Sequence, residues 1–175
     1  MKKLKLLKLI TDIIYYLNII LITISPIVAF AVIITINSEG LEYKGKEYTN
    51  IGAGLIFSYL LKYLVYLALV YCLYLFRKII LFFLELKIFD NMVINLFNKI
   101  GKYLILIGFG FIISSCIPID YNYTTYHSGG FTNHYKHEYN FQLNFIWIAI
   151  GLFFQVLSEV LSSANELKQE NDLTI

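Results

Sequence analysis

Four runs of apolar residues constrain this chain more than any other feature of its sequence. They cover residues 13–36, 55–83, 100–118 and 143–163. About 20 consecutive, mainly apolar residues form a helix long enough to cross the hydrocarbon core of a bilayer. In lipid, a backbone segment has to satisfy its own hydrogen bonds, which an α-helix does. The sequence therefore predicts an all-α membrane protein with a four-transmembrane-helix bundle.

The composition agrees with this class of protein. Of the 175 residues, 58% are hydrophobic and 15% are charged, whereas about a quarter of the residues in soluble domains are charged. The four runs and their connections use the whole chain, so we predict a single domain, residues 1–175. The net charge of +2 gives no reason to expect direct binding of nucleic acid, and no feature of the sequence sets an oligomeric state.

The distribution of basic residues predicts the orientation. Four spans place both termini on one side of the membrane, and most of the basic residues outside the spans fall on that side. They are Lys2, Lys3, Lys5, Lys8, Arg77, Lys78, Lys87, Lys99, Lys102 and Lys168, against Lys44, Lys46 and Lys136 on the other side. Basic residues are enriched in cytoplasmic loops. Both termini, the connection 84–99 and the tail 164–175 are therefore predicted to be cytoplasmic.

The cytoplasmic connection is amphipathic and predicts the start of the third helix. Its apolar residues recur at helical spacing and its polar residues fall on the opposite face. The apolar set is Phe89, Val93, Leu96 and Ile100, and the polar set is Asp90, Asn91, Asn95, Asn98 and Lys102. Aspartate is a preferred N-cap, so we expect the helix to start near Asn91 with Asp90 as its cap.

The two outer connections, residues 37–54 and 119–142, differ in pattern. The first is polar and rich in turn formers, which is typical of a connecting loop. The second has tyrosine and threonine in near alternation on both sides of Ser-Gly-Gly. Two such runs around a glycine turn are the signal for a β-hairpin. We therefore predict a short extracytoplasmic β-hairpin between the third and fourth helices.

The hairpin contains all three histidines, His127, His134 and His137. Because His134 and His137 are an odd number of positions apart, they point to opposite faces of a strand. A zinc site needs at least three converging ligands, so we predict no metal and no cofactor. The two cysteines, Cys72 and Cys116, should lie at opposite depths, and we expect them to be free, buried thiols. Since no catalytic motif is present, we predict that the protein is not an enzyme.

Lys62 is the one strong charge within a span. An ionisable group at the centre of a membrane is costly, and Lys62 is close enough to the outer end of its span to reach the interface. We favour such an anchor over the alternative, a polar contact inside the bundle. Tyr59, Tyr63 and Tyr66 surround it at helical spacing, and their hydroxyls could form hydrogen bonds between helices.

The fourth span carries a polar line formed by Gln155, Ser158 and Ser162. We interpret it as a set of hydrogen bonds between helices, with Asn18 and Ser25 of the first span facing it. An apolar stripe continues past the end of this span, so the helix should extend about two turns into the cytoplasm, covered by the start of the third helix. The stripe consists of Leu157, Val160, Leu161, Ala164 and Leu167.

Beyond the stripe, Asn171 and Asp172 predict a helix end, and Leu173 to Ile175 predict an extended tip. An extended apolar tip with a free carboxylate could dock on the same chain or on a partner. Self-docking is the interpretation that we favour, and partner docking stays open. The candidate partner-contact residues are Glu166, Lys168, Glu170, Asp172, Leu173 and Ile175.

Three segments carry a resemblance to a known family. The C-terminal "ANELKQENDLTI", the "FRKII" at the end of the second span and the stretch "IFDNMVINLFNKIG" resemble short bacterial membrane proteins known only as a domain of unknown function. Members have four predicted spans and close on an acidic segment followed by "DLT[IV]". Many carry Pro-Phe where this chain has Lys87-Ile88-Phe89, so the turn here should differ.

The resemblance implies a location in the bacterial inner membrane. Members are often encoded beside a small helix-turn-helix regulator of the Xre type, which implies a regulatory pair. No activity is established for the family, so the resemblance implies no catalytic residues. Our first hypothesis is a regulatory or sensory protein whose cytoplasmic face binds such a regulator or another membrane protein. The alternative is a small transporter, channel or immunity-type protein with a polar cavity around Lys62.

Overall fold

The computed structural model describes residues 2–39, 41–43, 46–127, 130–138 and 145–173. In chain order, the helices are α1 (Lys2–Glu39), α2 (Ala53–Leu84), α3 (Asn91–Cys116) and α4 (Phe145–Leu173). The strands are β1 (Leu41–Tyr43), β2 (Lys46–Ile51), β3 (Ile119–His127) and β4 (Gly130–Glu138). All four helices are long and apolar enough to cross a membrane, as the four runs predict.

The chain divides into two compact units. The terminal unit contains Met1–Ile19, Tyr66–Phe109 and Asn144–Ile175, and the sheet unit contains Ile20–Val65 and Gly110–Leu143. Both chain ends and the connection between α2 and α3 therefore belong to the terminal unit. All four strands belong to the sheet unit.

The core of the terminal unit lies along α2 and α3. The buried apolar side chains on α3 are Val93, Phe97, Ile100, Leu104 and Ile107. Their spacing of three and four residues places them on one face of the helix, the coiled-coil pattern. The Phe97 ring lies 6.2 Å from Phe83 of α2 and 5.7 Å from Phe154 of α4, measured between ring centroids. Phe97 therefore joins three helices.

The sheet unit contains one antiparallel sheet with the strand order β1-β2-β3-β4. Strands β3 and β4 pair from Ile119 with Glu138 to His127 with Gly130, which is the predicted hairpin. The first outer connection also forms two strands, so the expectation of a plain loop there is wrong. Its tyrosines and threonine favour strand geometry, and β2 pairs with β3 across a register shift between Tyr48 and Asn50.

Two further expectations need correction. Cys72 is buried and Cys116 is exposed, both as free thiols. The exposure of Cys116 follows from its position as the last residue of α3. In addition, α4 continues through Leu173 and does not end at Asn171. The glutamates, lysine and glutamine of residues 166–170 are good helix formers, so they carry the helix on and leave Asn171 and Asp172 in its last turn.

Candidate functional site

A groove lies beside the turn between α2 and α3, in the terminal unit. Its volume is about 520 Å³, and we call it the turn groove. Its lining residues are Lys78, Leu81, Phe82 and Glu85 from α2 and the turn, and Met92, Asn95, Leu96 and Lys99 from α3. Several of these residues belong to the amphipathic connection, which the distribution of basic residues predicts to be cytoplasmic.

The turn beside the groove is formed by a capping motif at the end of α2 and another at the start of α3. At the end of α2, the Lys87 amide donates to the Phe82 carbonyl at 3.0 Å, and the Leu86 amide donates to the Phe83 carbonyl at 3.2 Å. This is the Schellman pattern, which usually has glycine in the left-handed position. Leu86 takes that position here, with a φ of 61°.

Asp90 caps the start of α3. Its Oδ1 accepts a hydrogen bond from the Met92 amide at 2.8 Å, and its carbonyl accepts one from the Val93 amide at 2.9 Å. The predicted N-cap and the predicted helix start are thus confirmed. Because both helix ends are capped, the walls of the groove are held in a defined position.

The groove combines apolar walls with charged ends. Leu81, Phe82, Met92 and Leu96 are apolar, whereas Lys78 and Lys99 are basic. Lys78 lies about 9 Å before the end of α2 and Lys99 about 12 Å after the start of α3, at 1.5 Å per residue. The two lysines are therefore at a similar level, and the apolar side chains lie between that level and the turn.

Glu85 adds an acidic group at the turn. Its carboxylate accepts a hydrogen bond from the Lys87 ammonium group at 3.0 Å. This bond and the charge of Glu85 raise the pKa of Lys87. Both side chains are exposed, so the pair contributes little to stability and leaves Lys78 and Lys99 as the basic groups of the groove.

Helix α4 packs beside the start of α3. The Ser158 hydroxyl donates to the Ile94 carbonyl at 2.8 Å, and Asn165 Nδ2 donates to Asn91 Oδ1 at 3.1 Å. Residues 158–165 of α4 therefore lie beside the start of α3. Val160 is nevertheless 59% exposed and Leu167 is 64% exposed, so the predicted cover of the apolar stripe is present only in part.

Most of the candidate partner-contact residues lie on the last turns of α4. Glu166, Lys168, Glu170 and Leu173 are exposed on the last turns of α4. The backbone of Asp172 is helical, while its side chain and the whole of Ile175 lie outside the described residues. Neither self-docking nor partner docking of the extended tip is therefore tested.

The tyrosines of α2 form hydrogen bonds with α1. In the sheet unit, the Tyr59 and Ser25 hydroxyls lie 2.7 Å apart, and the Tyr63 hydroxyl donates to the Ile22 carbonyl at 3.3 Å. In the terminal unit, the Tyr66 hydroxyl donates to Asn18 Oδ1. Hydrogen bonding between helices is confirmed, but Asn18 and Ser25 face α2, not the polar line of α4.

Lys62 and Gln155 occupy different environments. The Lys62 side chain is exposed at the surface of the sheet unit. Gln155 packs against α3 in the terminal unit, where a Cβ added at Gly101 would lie 2.7 Å from its Cγ. Both the anchor and the cavity interpretation of Lys62 stay predictions, and an exposed side chain favours the anchor.

Sequence reasoning missed an ion pair between α1 and α2. Arg77 Nε donates to Asp12 Oδ1 at 2.5 Å, and the guanidinium lies 4.4 Å from the ring centre of Tyr15 and 5.1 Å from that of Tyr16. Asp12 is the only acidic residue before the first span, and Arg77 is the only arginine in the chain. Two opposite charges near the same predicted membrane boundary were the feature of the sequence that could have indicated this ion pair.

It also missed a close approach of α3 and α4. A Cβ added at Gly101 would lie 2.7 Å from the Gly151 carbonyl oxygen, and one added at Gly151 would lie 2.7 Å from the Gly101 oxygen. Small residues let helix backbones approach closely in membranes. Glycines inside two apolar runs were the signal for this contact.

His134 has a local role in the sheet. Its Nε2 lies 3.1 Å from the hydroxyls of both Thr125 and Thr132, and its ring stacks on Tyr123 with 4.9 Å between centroids. The side chains of His127 and His137 lie outside the described residues. The contacts of His134 are those of a side chain that stabilises a strand pair.

One comparison with known proteins gives a match. A family model described as "Protein of unknown function (DUF2975)" matches residues 13–175. No protein among the curated ones and no solved structure matches this chain. The groove and the contacts between helices are therefore interpreted from their own geometry.

Proposed function

The chain belongs to the family described as "Protein of unknown function (DUF2975)", and from that premise we propose that it is a regulatory or sensory protein of the bacterial cytoplasmic membrane. In this proposal both termini are cytoplasmic, and the cytoplasmic face binds a partner protein. The turn groove is the docking surface for that partner.

Two observations support the orientation. Basic residues are concentrated at the chain ends and in the connection between α2 and α3, which is the pattern of cytoplasmic segments. Both chain ends and this connection also fall in one compact unit, while the strands fall in the other. A chain with four spans has this arrangement when its two ends lie on the same side.

The observation that carries the proposal is the apolar surface of the turn groove. Met92, which lines the groove, is 64% exposed, and Leu86 at the turn is 74% exposed. If Lys78 and Lys99 mark the membrane boundary, these side chains face water. An apolar surface that is exposed to water and rimmed by charges is typical of a docking site.

The groove suits an amphipathic helix of the partner. Such a helix would place its apolar side chains against Leu81, Phe82 and Leu96, and an acidic side chain near Lys78 or Lys99. A small helix-turn-helix regulator, which the family resemblance suggests, consists of amphipathic helices and can supply one. Another membrane protein with a cytoplasmic helix is the second kind of partner.

The proposal is tested by copurification from native membranes with two matched variants. Met92→Glu places a charge in the groove, whereas Leu167→Glu places the same charge on α4, outside the groove. Met92 and Leu167 are both 64% exposed, so neither change should disturb folding. We expect Met92→Glu to reduce the recovered partner at least about tenfold, equivalent to about 1.4 kcal/mol, and Leu167→Glu to leave it nearly unchanged.

If instead Leu167→Glu reduces the recovered partner and Met92→Glu does not, the docking surface is the tail of α4. Deletion of residues 171–175 should then abolish recovery of the partner. Equal recovery with both variants and with the deletion would refute partner binding at this face. The variant Lys62→Leu distinguishes partner binding from the alternative of a transporter, channel or immunity-type protein. We expect Lys62→Leu to retain the partner. A loss of transport or protection with the partner still bound would support the alternative.

A further inference from the structure

A polar pocket lies on strands β3 and β4 of the sheet unit. Its volume is about 450 Å³, which is within the range of sites for small ligands, about 300–1,000 Å³. We call it the sheet pocket. Three consecutive residue pairs of the two strands line it: Asn122 with Tyr135, Tyr123 with His134, and Thr124 with Asn133.

Strand geometry divides these residues between two faces. Successive side chains of a strand point to opposite faces, so Asn122, Thr124, Asn133 and Tyr135 share one face. The Thr124 hydroxyl donates to Asn133 Oδ1 at 2.9 Å, as two side chains on the same face can. The rings of the middle pair stack on each other on the opposite face. Two amides, a hydroxyl and a phenol therefore surround a strip of backbone.

Most of the hydrogen-bonding groups on this face are unused by the protein. Within the described part of the chain, the Asn122 and Tyr135 side chains form no hydrogen bond, and Asn133 uses only its carbonyl oxygen. Each amide can therefore donate two hydrogen bonds, and the phenol can both donate and accept. The described lining contains no Asp, Glu, Lys or Arg. The sheet pocket offers neutral donors and acceptors to a ligand.

Two aromatic rings flank the amide of Asn133. Phe131 precedes Asn133 by two residues and Tyr135 follows it by two, so the three side chains are on the same face of β4. Phe131 is 67% exposed and Tyr135 is 69% exposed. Four residues of an antiparallel strand span about 14 Å. The face therefore presents two exposed rings with an amide between them.

This combination excludes several kinds of ligand. Lipid chains or an apolar protein surface would cover the two rings but would leave the amides without partners. An extended peptide would bond to the backbone at the free edge of β4, not to the face. A sugar ring has one surface of C–H groups, which packs on an aromatic ring, and neutral hydroxyl groups around its rim. Both halves of this chemistry match the sheet pocket.

We infer that this face of β3 and β4 binds a neutral carbohydrate chain, with sugar rings packed on Phe131 and Tyr135 and hydroxyl or acetamido groups bonded to Asn122 and Asn133. The two rings are further apart than one sugar ring can cover, so the ligand is an oligosaccharide or a polysaccharide. The hairpin is predicted to be extracytoplasmic, which favours a polysaccharide of the cell envelope as its source. This site does not depend on the turn groove or on a partner protein.

The test is a calorimetric titration of the purified full-length protein in phosphatidylcholine nanodiscs with chitotetraose, a neutral chain with acetamido groups. We expect saturable binding. Chitobiose, which is too short to cover both rings, should bind about tenfold or more weakly. A heparin tetrasaccharide, which is highly charged, should bind more weakly than chitotetraose because the pocket has no counter-charge. No partner protein is present, so the result is independent of partner binding.

Neighbouring positions on β4 supply a matched pair of variants. Asn133 and Thr132 are both exposed but lie on opposite faces. Asn133→Ala should weaken binding of chitotetraose about fivefold, since one neutral hydrogen bond is worth about that factor. Thr132→Ala removes a hydroxyl that lies 2.8 Å from that of Thr125, so it tests the strand pair itself, and it should leave binding nearly unchanged.

Tyr135 separates packing from hydrogen bonding. Tyr135→Ala should weaken binding about tenfold or more, whereas Tyr135→Phe keeps the ring and should retain most of it. The absence of saturable binding to the wild-type protein would overturn the inference. A preference for the heparin tetrasaccharide would overturn the neutral ligand class. Equal losses in Asn133→Ala and Thr132→Ala would overturn the assignment to this face, and Tyr135→Phe, which removes one oxygen atom, remains informative if Tyr135→Ala fails to fold.

Discussion

Helices α1 and α2 are joined in a different way from helices α3 and α4. The first pair meets through long side chains: Tyr59 with Ser25, Tyr66 with Asn18, and Arg77 with Asp12. The second pair meets through its backbones at Gly101 and Gly151. Side-chain hydrogen bonds in membranes are worth about 0.6 kcal/mol on average, whereas close backbone packing involves many atom pairs at once.

The burial of the helices divides them in another way. Of the most apolar stretch of each helix, 28% of the residues are buried in α2 and 33% in α3, against 6% in α1 and 11% in α4. Exposed apolar side chains cover α1 on all sides, as expected for a helix that faces lipid over most of its surface. We conclude that α2 and α3 carry most of the buried surface, that α4 meets α3 at a close backbone contact, and that α1 is attached at a few polar positions.

The largest effect should come from breaking the close approach of α3 and α4. Gly151→Leu places a side chain where a Cβ alone would lie 2.7 Å from the Gly101 oxygen and 2.8 Å from Ile105 Cγ1. Overpacking lowers the free energy of unfolding by about 3 kcal/mol or more when the added atoms collide with backbone atoms. We expect a large fall in the thermal unfolding temperature of the protein in detergent.

The matched control for this change is Ala149→Leu. Ala149 is exposed on the same helix, so there is room for the added side chain and stability should change by less than about 0.5 kcal/mol. Equal unfolding temperatures for the two variants would contradict the close approach.

An intermediate effect should follow from breaking the ion pair between α1 and α2. The Arg77 and Asp12 side chains are 22% and 28% exposed, between the surface and the buried case. A double-mutant cycle with Arg77→Gln and Asp12→Asn should therefore give a coupling free energy of about 1–2 kcal/mol. The unfolding of all four proteins in detergent measures it. Additive effects would mean that the pair does not hold α1.

The helices and the start of α3 could be predicted from the sequence because each depends on local signals. Apolar length predicts the spans, and Asp90 before an amphipathic stretch predicts the cap. The strands of the first outer connection were harder to predict. They are short and form a sheet only because β2 pairs with β3, which lies about 70 residues further along the chain, and such pairing leaves little local pattern.

The candidate site was predictable only in part, for a similar reason. The amphipathic connection indicated a cytoplasmic surface, but the turn groove depends on the Schellman end of α2, with Leu86 in a position that usually has glycine. The tyrosine spacing indicated one face of α2 without saying which helix it meets. Asn18 and Ser25 were matched to the wrong helix because polar residues in spans can pair in several ways.

The smallest effect concerns the attachment of α1 at its proline. Pro26 has no amide hydrogen, so the Ile22 carbonyl, four residues earlier, loses its helical partner. The Tyr63 hydroxyl of α2 donates to this carbonyl at 3.3 Å, which is how freed backbone groups are satisfied in membrane helices. Tyr63→Phe should therefore cost about 0.6 kcal/mol in detergent, a small but resolvable shift of the unfolding transition.

The proline itself supplies the control. In Pro26→Ala, the restored amide can donate to the Ile22 carbonyl, so the hydroxyl of Tyr63 is no longer needed there. Tyr63→Phe should then cost close to nothing in the Pro26→Ala background, while Tyr59→Phe, which breaks the bond to Ser25, should cost the same in both backgrounds. If the proline makes no difference to Tyr63→Phe, that tyrosine stabilises α1 by packing alone, and its hydroxyl is not one of the polar groups that attach α1.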